Sequence, residues 1–312
     1  MIANWRPSSA RHDGGAKSSV SPNRVRRAPL TWVTALILLP VGVSLAADSG
    51  NKLEKSFRAT PNARISVSNP GGGQVTDRGW DRSEVHAIYS TSSSKAAIEV
   101  DQIPASGEVE KLHFVTNLVD AQAAPQEKAA TYELDVPAGS SIKIYNPEGS
   151  VTVERISADE DVESINGKVV VNDSSGHVSV RSINGDIDLA RPSGRVEATS
   201  VMGNLHFTAS TSERIRAQTE SGRIDFDGEF VPTGDYVMKS WRGDMDIVCS
   251  PSDSFELSAR TVSGKVDNQF HLNRKGHTSV AGSGEAFGYQ NQGDATVDLK
   301  SYSGTIHLRP RP

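Results

Sequence analysis

The chain has 312 residues, of which 36% are hydrophobic, 6% aromatic and 23% charged, and its one cysteine is Cys249. This length accommodates one large domain or two ordinary ones, and a single cysteine excludes a disulfide framework and a cysteine-rich zinc site. The net charge of −5 becomes −10 without residues 1–30, which hold six of the 33 Lys and Arg residues and one of the 38 Asp and Glu residues. Because so acidic a body repels nucleic-acid phosphates, we expect no nucleic-acid partner.

The start of the chain has the features of an export signal. Three arginines within residues 24–27 precede an apolar stretch over residues 30–47 that ends in small residues. This pattern predicts a secretory signal peptide over residues 1–46, with an extended basic N-region and cleavage after Ala46 or Ala47. A proline and a glycine interrupt the apolar stretch, which is shorter than the roughly 20 residues that span a bilayer, so no stable transmembrane anchor is expected. The sequence therefore predicts an exported protein, periplasmic or extracellular at the cell surface.

An internal repeat dominates the rest of the chain. Each copy begins with Asn, Ser or Thr, has a glycine three residues later and continues with alternating apolar and polar residues. The glycines of the first four copies are 18 residues apart, and a weaker half-repeat lies between the copies. The repeat glycines are Gly149, Gly167, Gly185, Gly203, Gly222, Gly243, Gly264 and Gly304.

The repeat predicts an all-β fold. Strict alternation over four or five positions is typical of a half-buried strand. A two-strand unit cannot bury its apolar side alone, so the copies must stack into a β-solenoid or β-roll of coils of roughly 18 residues. The alternative is an antiparallel β-sandwich, which also has short, regularly spaced strands. Each repeat glycine is expected at a turn with positive φ, for which Asn166-Gly167 and Asn184-Gly185 are typical pairs.

Residues 48–312 are predicted to form a single repetitive β domain. Residues 131–312 contain the regular repeats, and residues 48–130 form less regular opening coils, because the segment 65–75 parallels the segment 145–151. The chain ends in Arg309-Pro-Arg-Pro312. Since prolines cannot extend a ladder, we expect this segment to close the last coil.

These motifs resemble a family of bacterial secreted domains of unknown function labelled putative adhesin. Its copies have the pattern S-x-x-G-x-I, an early strand ends in V-P-x-G, and the chain closes on S-G-x-I. Here the last two patterns are Val136-Pro-Ala-Gly139 and Ser303-Gly304-Thr-Ile306, and the resemblance covers roughly residues 60–310. It implies an envelope location and no catalysis more firmly than it implies adhesion.

A column of outward aspartates is a candidate metal site. Asp225, Asp246 and Asp267 each lie three residues after a repeat glycine. In stacked coils such residues are about 4.8 Å apart, where carboxylates repel one another. One hypothesis is that they bind a divalent cation such as Ca²⁺. The other, which we favour, is that Arg223 and Lys265 in the adjacent column neutralise them and that no cofactor is bound.

Trp241 and Tyr302 are candidate surface-binding residues. Both lie two residues before a repeat glycine and therefore at the same turn edge. Together with Trp80 and Tyr89 they form a candidate sugar-stacking platform, and the alternative is that they cover the hydrophobic corner of the turn. Cys249 continues an inward alternation and is expected to be a buried hydrophobic residue.

The chain has no recognisable catalytic motif, so we expect that it is not an enzyme. The leading hypothesis is a non-enzymatic, exported cell-envelope protein, an adhesin-like binding or scaffold module whose partner is a protein or glycan of the envelope or surface. One alternative is a periplasmic sensor or stress-response partner of a membrane protein. Another is a β-helical carbohydrate-active enzyme with paired carboxylates along a groove.

Overall fold

The computed structural model describes residues 52–273 and 284–312. The predicted signal peptide and its cleavage site lie outside the described residues. Within the described part, no helix is long and apolar enough to cross a membrane.

Strands follow one another along the described chain, with a single four-residue helix among them. The opening segment comprises β1 (Leu53–Ser68), β2 (Gly73–Trp80), β3 (Glu84–Thr91), β4 (Ala96–Ile103), β5 (Val109–Leu118), α1 (Pro125–Lys128) and β6 (Ala130–Pro137). The regular coils comprise β7 (Ser141–Tyr145), β8 (Gly149–Glu154), β9 (Glu160–Glu163), β10 (Val169–Asn172), β11 (His177–Arg181), β12 (Ile187–Ala190), β13 (Arg195–Ser200), β14 (Leu205–Ser210), β15 (Arg214–Thr219), β16 (Ile224–Gly228), β17 (Asp235–Ser240) and β18 (Met245–Cys249). The closing segment comprises β19 (Phe255–Thr261), β20 (Val266–Asn268), β21 (Glu285–Gln290), β22 (Ala295–Ser301) and β23 (Ile306–Pro310).

The strands form a β-solenoid with two facing sheets, which confirms the prediction of stacked two-strand coils. From β7 to β18 the even-numbered strands form sheet A and the odd-numbered strands form sheet B, so each coil contributes one strand to each sheet. The pairing within each sheet is parallel, as between Val169 and Ile187 or between Val178 and Val196. Parallel pairing of successive coils is incompatible with the alternative of an antiparallel sandwich.

The core lies between the two sheets and consists of stacked apolar columns. In sheet A one column runs through Val151, Val169, Ile187, Leu205 and Ile224, all of them fully buried. Burying one such side chain contributes about 1.5–3 kcal/mol. Because every coil repeats the column, each added coil extends one continuous core.

The repeat glycines are required by the spacing between coils. A Cβ on Gly185 would lie 1.8 Å from the carbonyl oxygen of Gly167 in the preceding coil, which no side chain tolerates. The prediction of positive φ is wrong for Gly167 and Gly185, and among the repeat glycines only Gly149 has it, at 92°. The asparagines before these two glycines stack instead, and the amide of Asn184 donates to Asn166 Oδ1 at 2.5 Å.

Left-handed backbone occurs at the opposite corner of four successive coils, those that contain β8, β10, β12 and β14. Arg155, Asp173, Arg191 and Ala209 have φ between 51° and 57°, and each lies close to the end of a sheet A strand. Two of these residues bond to each other, since Arg191 donates from Nε and Nη2 to the carboxylate of Asp173 at 2.6 and 2.8 Å. Consecutive corners are therefore linked by their side chains.

The last strands of the chain do not form the end of the solenoid. Strand β22 lies between β17 and β19, and β23 lies between β18 and β20. The final coil is thus inserted between two earlier coils. Within the described residues the β19–β20 coil is outermost, and β21 runs antiparallel along β19. The prediction that the proline-rich end closes the last coil is therefore wrong.

The same interleaving occurs at the start of the domain. The second half of β1 lies between β5 and β7, and β2 lies between β6 and β8. Ile65 is the register partner of Ile142, and Gly73 that of Gly149, as the sequence parallel indicates. The first half of β1 pairs antiparallel with β3 in sheet A, and β4 pairs antiparallel with β5 in sheet B.

Candidate functional site

The structure separates the three aspartates of the candidate metal site. Asp225 and Asp246 are register partners on neighbouring strands. His307 lies between Asp246 and Asp267, because β23 is inserted between β18 and β20. The adjacency of all three aspartates, on which the Ca²⁺ hypothesis depended, is therefore contradicted by the inserted strand.

Arginines neutralise the two adjacent aspartates. Arg223 Nε lies 2.7 Å from Asp225 Oδ1, and the same guanidinium also contacts Asp246. Arg309 Nη2 lies 2.7 Å from the other oxygen of Asp246. The predicted contacts of Arg223 are confirmed, whereas Lys265 makes no ion pair with a described residue. Arg309 of the inserted strand supplies the second cation. In residues 52–273 and 284–312 no group of three His, Cys, Asp or Glu side chains is arranged to hold a metal ion.

Trp241 and Tyr302 lie on adjacent turns and stack on each other. Their ring centroids are 4.5 Å apart and their planes differ by 3°. The turns adjoin because the amide of Ser303 donates to the carbonyl of Trp241 at 3.0 Å. The rings are 56% and 45% exposed, respectively. The inserted last coil thus brings together two residues that are 61 positions apart in the sequence.

The other two aromatic residues of the candidate platform lie elsewhere. Tyr89 is buried in the core, where it packs against Phe114 and Tyr132. The indole nitrogen of Trp80 donates to the carbonyl oxygen of Glu84 at 2.8 Å. The predicted four-residue platform is therefore reduced to the stacked pair.

The stacked pair belongs to a row of turn residues that we call the edge row. Each member lies two residues before a repeat glycine, and adjacent turns are joined by backbone hydrogen bonds. In spatial order the edge row is Pro147, Ile165, Ile183, Val201, Glu220, Trp241, Tyr302 and Val262. Ile183 and Val262 are 43% and 75% exposed. The edge row therefore presents apolar groups to solvent along one side of the solenoid.

A cleft of about 500 Å³ adjoins the stacked pair, and we call it the edge cleft. Besides the two rings, its lining includes Gln218, Lys239, Arg242 and Lys300. Lys239 and Lys300 are register partners on β17 and β22. Lys300 contacts Asp298, whereas Lys239 and Arg242 make no ion pair with any described residue. The edge cleft thus combines an aromatic wall with hydrogen-bond donors.

Two carboxyl groups that the repeat pattern did not single out lie inside the solenoid. Asp77 lies between Leu134 and Val153 in an inward column of sheet A, and both its carboxyl oxygens lack a hydrogen-bond partner among the described residues. Burial raises the pKa of Asp77 well above its usual value, and the charge of Glu160 raises it further. Inward residues recur about every nine positions in the regular repeats, as at Val169 and Val178. Counting back nine positions from Val169 would have indicated an inward position for Glu160.

Glu160 occupies the equivalent interior of sheet B, between Ile142 and Val178. It is 1% exposed. Burial raises its pKa to about 8, and the nearby hydroxyl group of Ser174 offsets part of the rise. Cys249 is buried as predicted, and burial raises the pKa of its thiol too, so it is not a reactive nucleophile.

Comparison with known proteins gives few matches. No protein-family model and no curated protein matches this chain. A putative cell adhesion protein from Clostridium sporogenes has a similar structure, and the match covers 84% of this chain and 100% of that protein's chain, with 9% sequence identity and a TM-score of 0.25. A putative adhesin from Bacteroides fragilis is similar over 83% of this chain and 97% of its own, with 11% identity and a TM-score of 0.43. Similarities of this size do not establish a shared function.

Proposed function

We propose that the chain is an exported, non-enzymatic protein of the cell envelope that binds a glycan at the edge cleft, in the manner of an adhesin. The observation that carries this proposal is the stacked Trp241–Tyr302 pair, which remains about half exposed beside the edge cleft. Large aromatic side chains that the core does not bury are typical of binding surfaces.

The chemistry of the edge cleft favours a glycan over an apolar ligand. Binding sites combine an apolar or aromatic lining with a few polar groups that fix orientation. The exposed part of the stacked pair offers an apolar surface for the C–H groups of a sugar. The side chains of Gln218, Lys239 and Arg242 offer hydrogen bonds to its hydroxyl groups. A rigid solenoid suits this role, because its surface is extended and its curvature is fixed.

The arrangement gives less support to the alternative of a carbohydrate-active enzyme. Such enzymes place two carboxyl groups on either side of the scissile bond, one of them with a raised pKa. Three carboxyls among the described residues have raised pKa values. Asp77 and Glu160 lie in the core, where a substrate does not reach them. Asp253 accepts hydrogen bonds from the backbone amides of Phe230 and Ser250. The periplasmic-sensor alternative predicts instead that the edge row contacts a protein.

Binding of the mature chain to a glycan array, followed by calorimetry with the best ligand, tests the proposal. We expect the double variant Trp241→Ala/Tyr302→Ala to bind at least about tenfold more weakly, a loss of about 1.4 kcal/mol. Ile183→Ala is the matched control, because Ile183 belongs to the same edge row but not to the edge cleft. Its affinity should be unchanged.

Two results would contradict the proposal. One is undiminished glycan binding by a folded double variant. The other is the absence of any glycan ligand for the wild-type chain, and capture of a purified envelope protein through Trp241 and Tyr302 would then favour the sensor alternative.

A further inference from the structure

A second, larger cleft lies on the outer face of sheet B near the start of the solenoid. Its volume is about 790 Å³, and we call it the β1 cleft. Outward side chains of β1, β5, β7, β9 and β11 line it, and the β4 edge contributes Asp101 and Ile103. This volume lies within the roughly 300–1,000 Å³ that small-molecule sites occupy and far exceeds that of a bare ion.

The β1 cleft contains two adjacent cations without a counter-ion. Arg64 and Lys111 are register partners across β1 and β5, and both are exposed. Like charges side by side in a sheet destabilise it. Neither residue makes an ion pair with a described residue, whereas Lys143 and Arg181 in the same cleft both pair with Asp161, at 2.8 and 3.3 Å. Arg64 and Lys111 are therefore the Arg and Lys residues of the lining without an ion pair among the described residues, and Asp101 and Asp159 are the outward lining carboxylates without one.

Polar groups flank these cations. Ser141 is the register partner of Arg64 on the side away from Lys111. Ser66 Oγ and His113 Nδ1 share a hydrogen bond of 2.5 Å on the next outward column. Ile103, 57% exposed, lies opposite Lys111 and adds an apolar rim. Cations, hydroxyl groups and an apolar rim together suit an anionic group carried on a larger organic body.

We propose that the β1 cleft binds a small organic anion, a carboxylate or phosphate on a sugar-sized body, with Arg64 and Lys111 contacting the anionic group. Guanidinium and ammonium groups are the side chains that recognise both kinds of anion. This site is separate from the edge cleft and stands whether or not a glycan binds at Trp241 and Tyr302.

Calorimetry of the mature chain in low-salt buffer without phosphate tests this proposal. The probes are glucuronate and glucose 6-phosphate, with glucose as the neutral control. We expect at least one of the two anions to bind and glucose not to bind. Tighter binding of glucuronate would identify a carboxylate as the ligand group, and tighter binding of glucose 6-phosphate a phosphate.

Variants assign the binding to the two cations. Arg64→Gln/Lys111→Gln should weaken it at least about tenfold, whereas the charge-preserving Arg64→Lys/Lys111→Arg should retain much of it. Arg195→Gln is the matched control, because Arg195 is an exposed cation in the same outward column, outside the β1 cleft and without an ion pair among the described residues. The proposal would be overturned if neither anion bound to the wild-type chain. It would also be overturned if the charge-preserving and neutral variants bound the anion equally well.

Discussion

Asp77 and Glu160 take positions in the solenoid interior that apolar residues occupy in neighbouring coils. A carboxylate enclosed there is disfavoured, so the folded state holds the neutral acid and the pKa rises above its unfolded value of 3.8 for Asp77 and 4.5 for Glu160. Because the folded chain binds more protons, the stabilisation is fully present below these unfolded values. It is lost as pH rises towards the folded pKa, which for Glu160 is about 8.

Unfolding in urea should therefore show that the protein is more stable at pH 5 than at pH 8. We expect a difference of a few kcal/mol, because a tenfold change in proton affinity corresponds to about 1.4 kcal/mol. Glu160→Gln should flatten the pH dependence, since the amide stays neutral. Glu163→Gln on the same strand is the control and should leave it unchanged, because Glu163 is partly exposed. Equal pH dependence of wild type and Glu160→Gln would refute this account.

At the scale of one coil, stability depends on the turn that joins sheet B to sheet A. The hydroxyl of Ser182 accepts a hydrogen bond from the buried amide of Gly185 at 2.9 Å, and Ser200 and Gly203 repeat the arrangement at 2.8 Å. Because glycine has no side chain, the backbone of the turn in the neighbouring coil can pack directly against it. Serine and glycine thus perform separate tasks in the same four-residue unit.

Gly185→Ala should prevent folding or destabilise the protein by more than about 3 kcal/mol, since the new Cβ would meet backbone that cannot move independently. Gly107→Ala is the matched control. Gly107 has positive φ but nothing within 4 Å of the added Cβ, so its replacement should cost only the backbone strain of about 1–2 kcal/mol. Denaturation of both variants measures the difference, and equal losses would show that the coil spacing is not the cause.

The sequence predicted the repeat unit but not the reason for its glycine. Alternation and the 18-residue period indicate strands and stacking, because both follow from side-chain burial. The close approach of Gly167 and Gly185 depends on how the coils stack, which a single copy of the motif does not reveal. The left-handed corners were not predicted, because Asp173 and Arg191 are not glycines and nothing in the repeat pattern indicates positive φ at these positions.

At the scale of the whole molecule, both ends of the solenoid are interleaved. In a simple solenoid each coil contacts only its neighbours in chain order, and the terminal coil has one free side. Here the final β22–β23 coil has a coil on each side, and so does the coil formed by β1 and β2. Among the described residues, the first and last coils in chain order therefore pair on both sides, and other strands form the outer edges.

This interleaving explains which parts of the candidate site were predictable. All copies of the repeat look alike, so the order of coils in space cannot be read from their motifs. Chain order predicts that Asp246 adjoins Asp267 and that the turn of Val262 lies between the turns of Trp241 and Tyr302. The inserted coil separates the first pair and brings the second pair into contact. A spacing of 40 residues between Gly264 and Gly304 was the one irregularity at this end.

An adhesin-like role requires that the solenoid be outside the cell. We would attach an epitope tag behind a protease site after Pro312 and treat intact cells with the protease, with one periplasmic and one surface protein as controls. The account predicts that the tag is released while the periplasmic control stays intact. A tag that is protected until the outer layer is breached would contradict surface binding and favour a periplasmic partner.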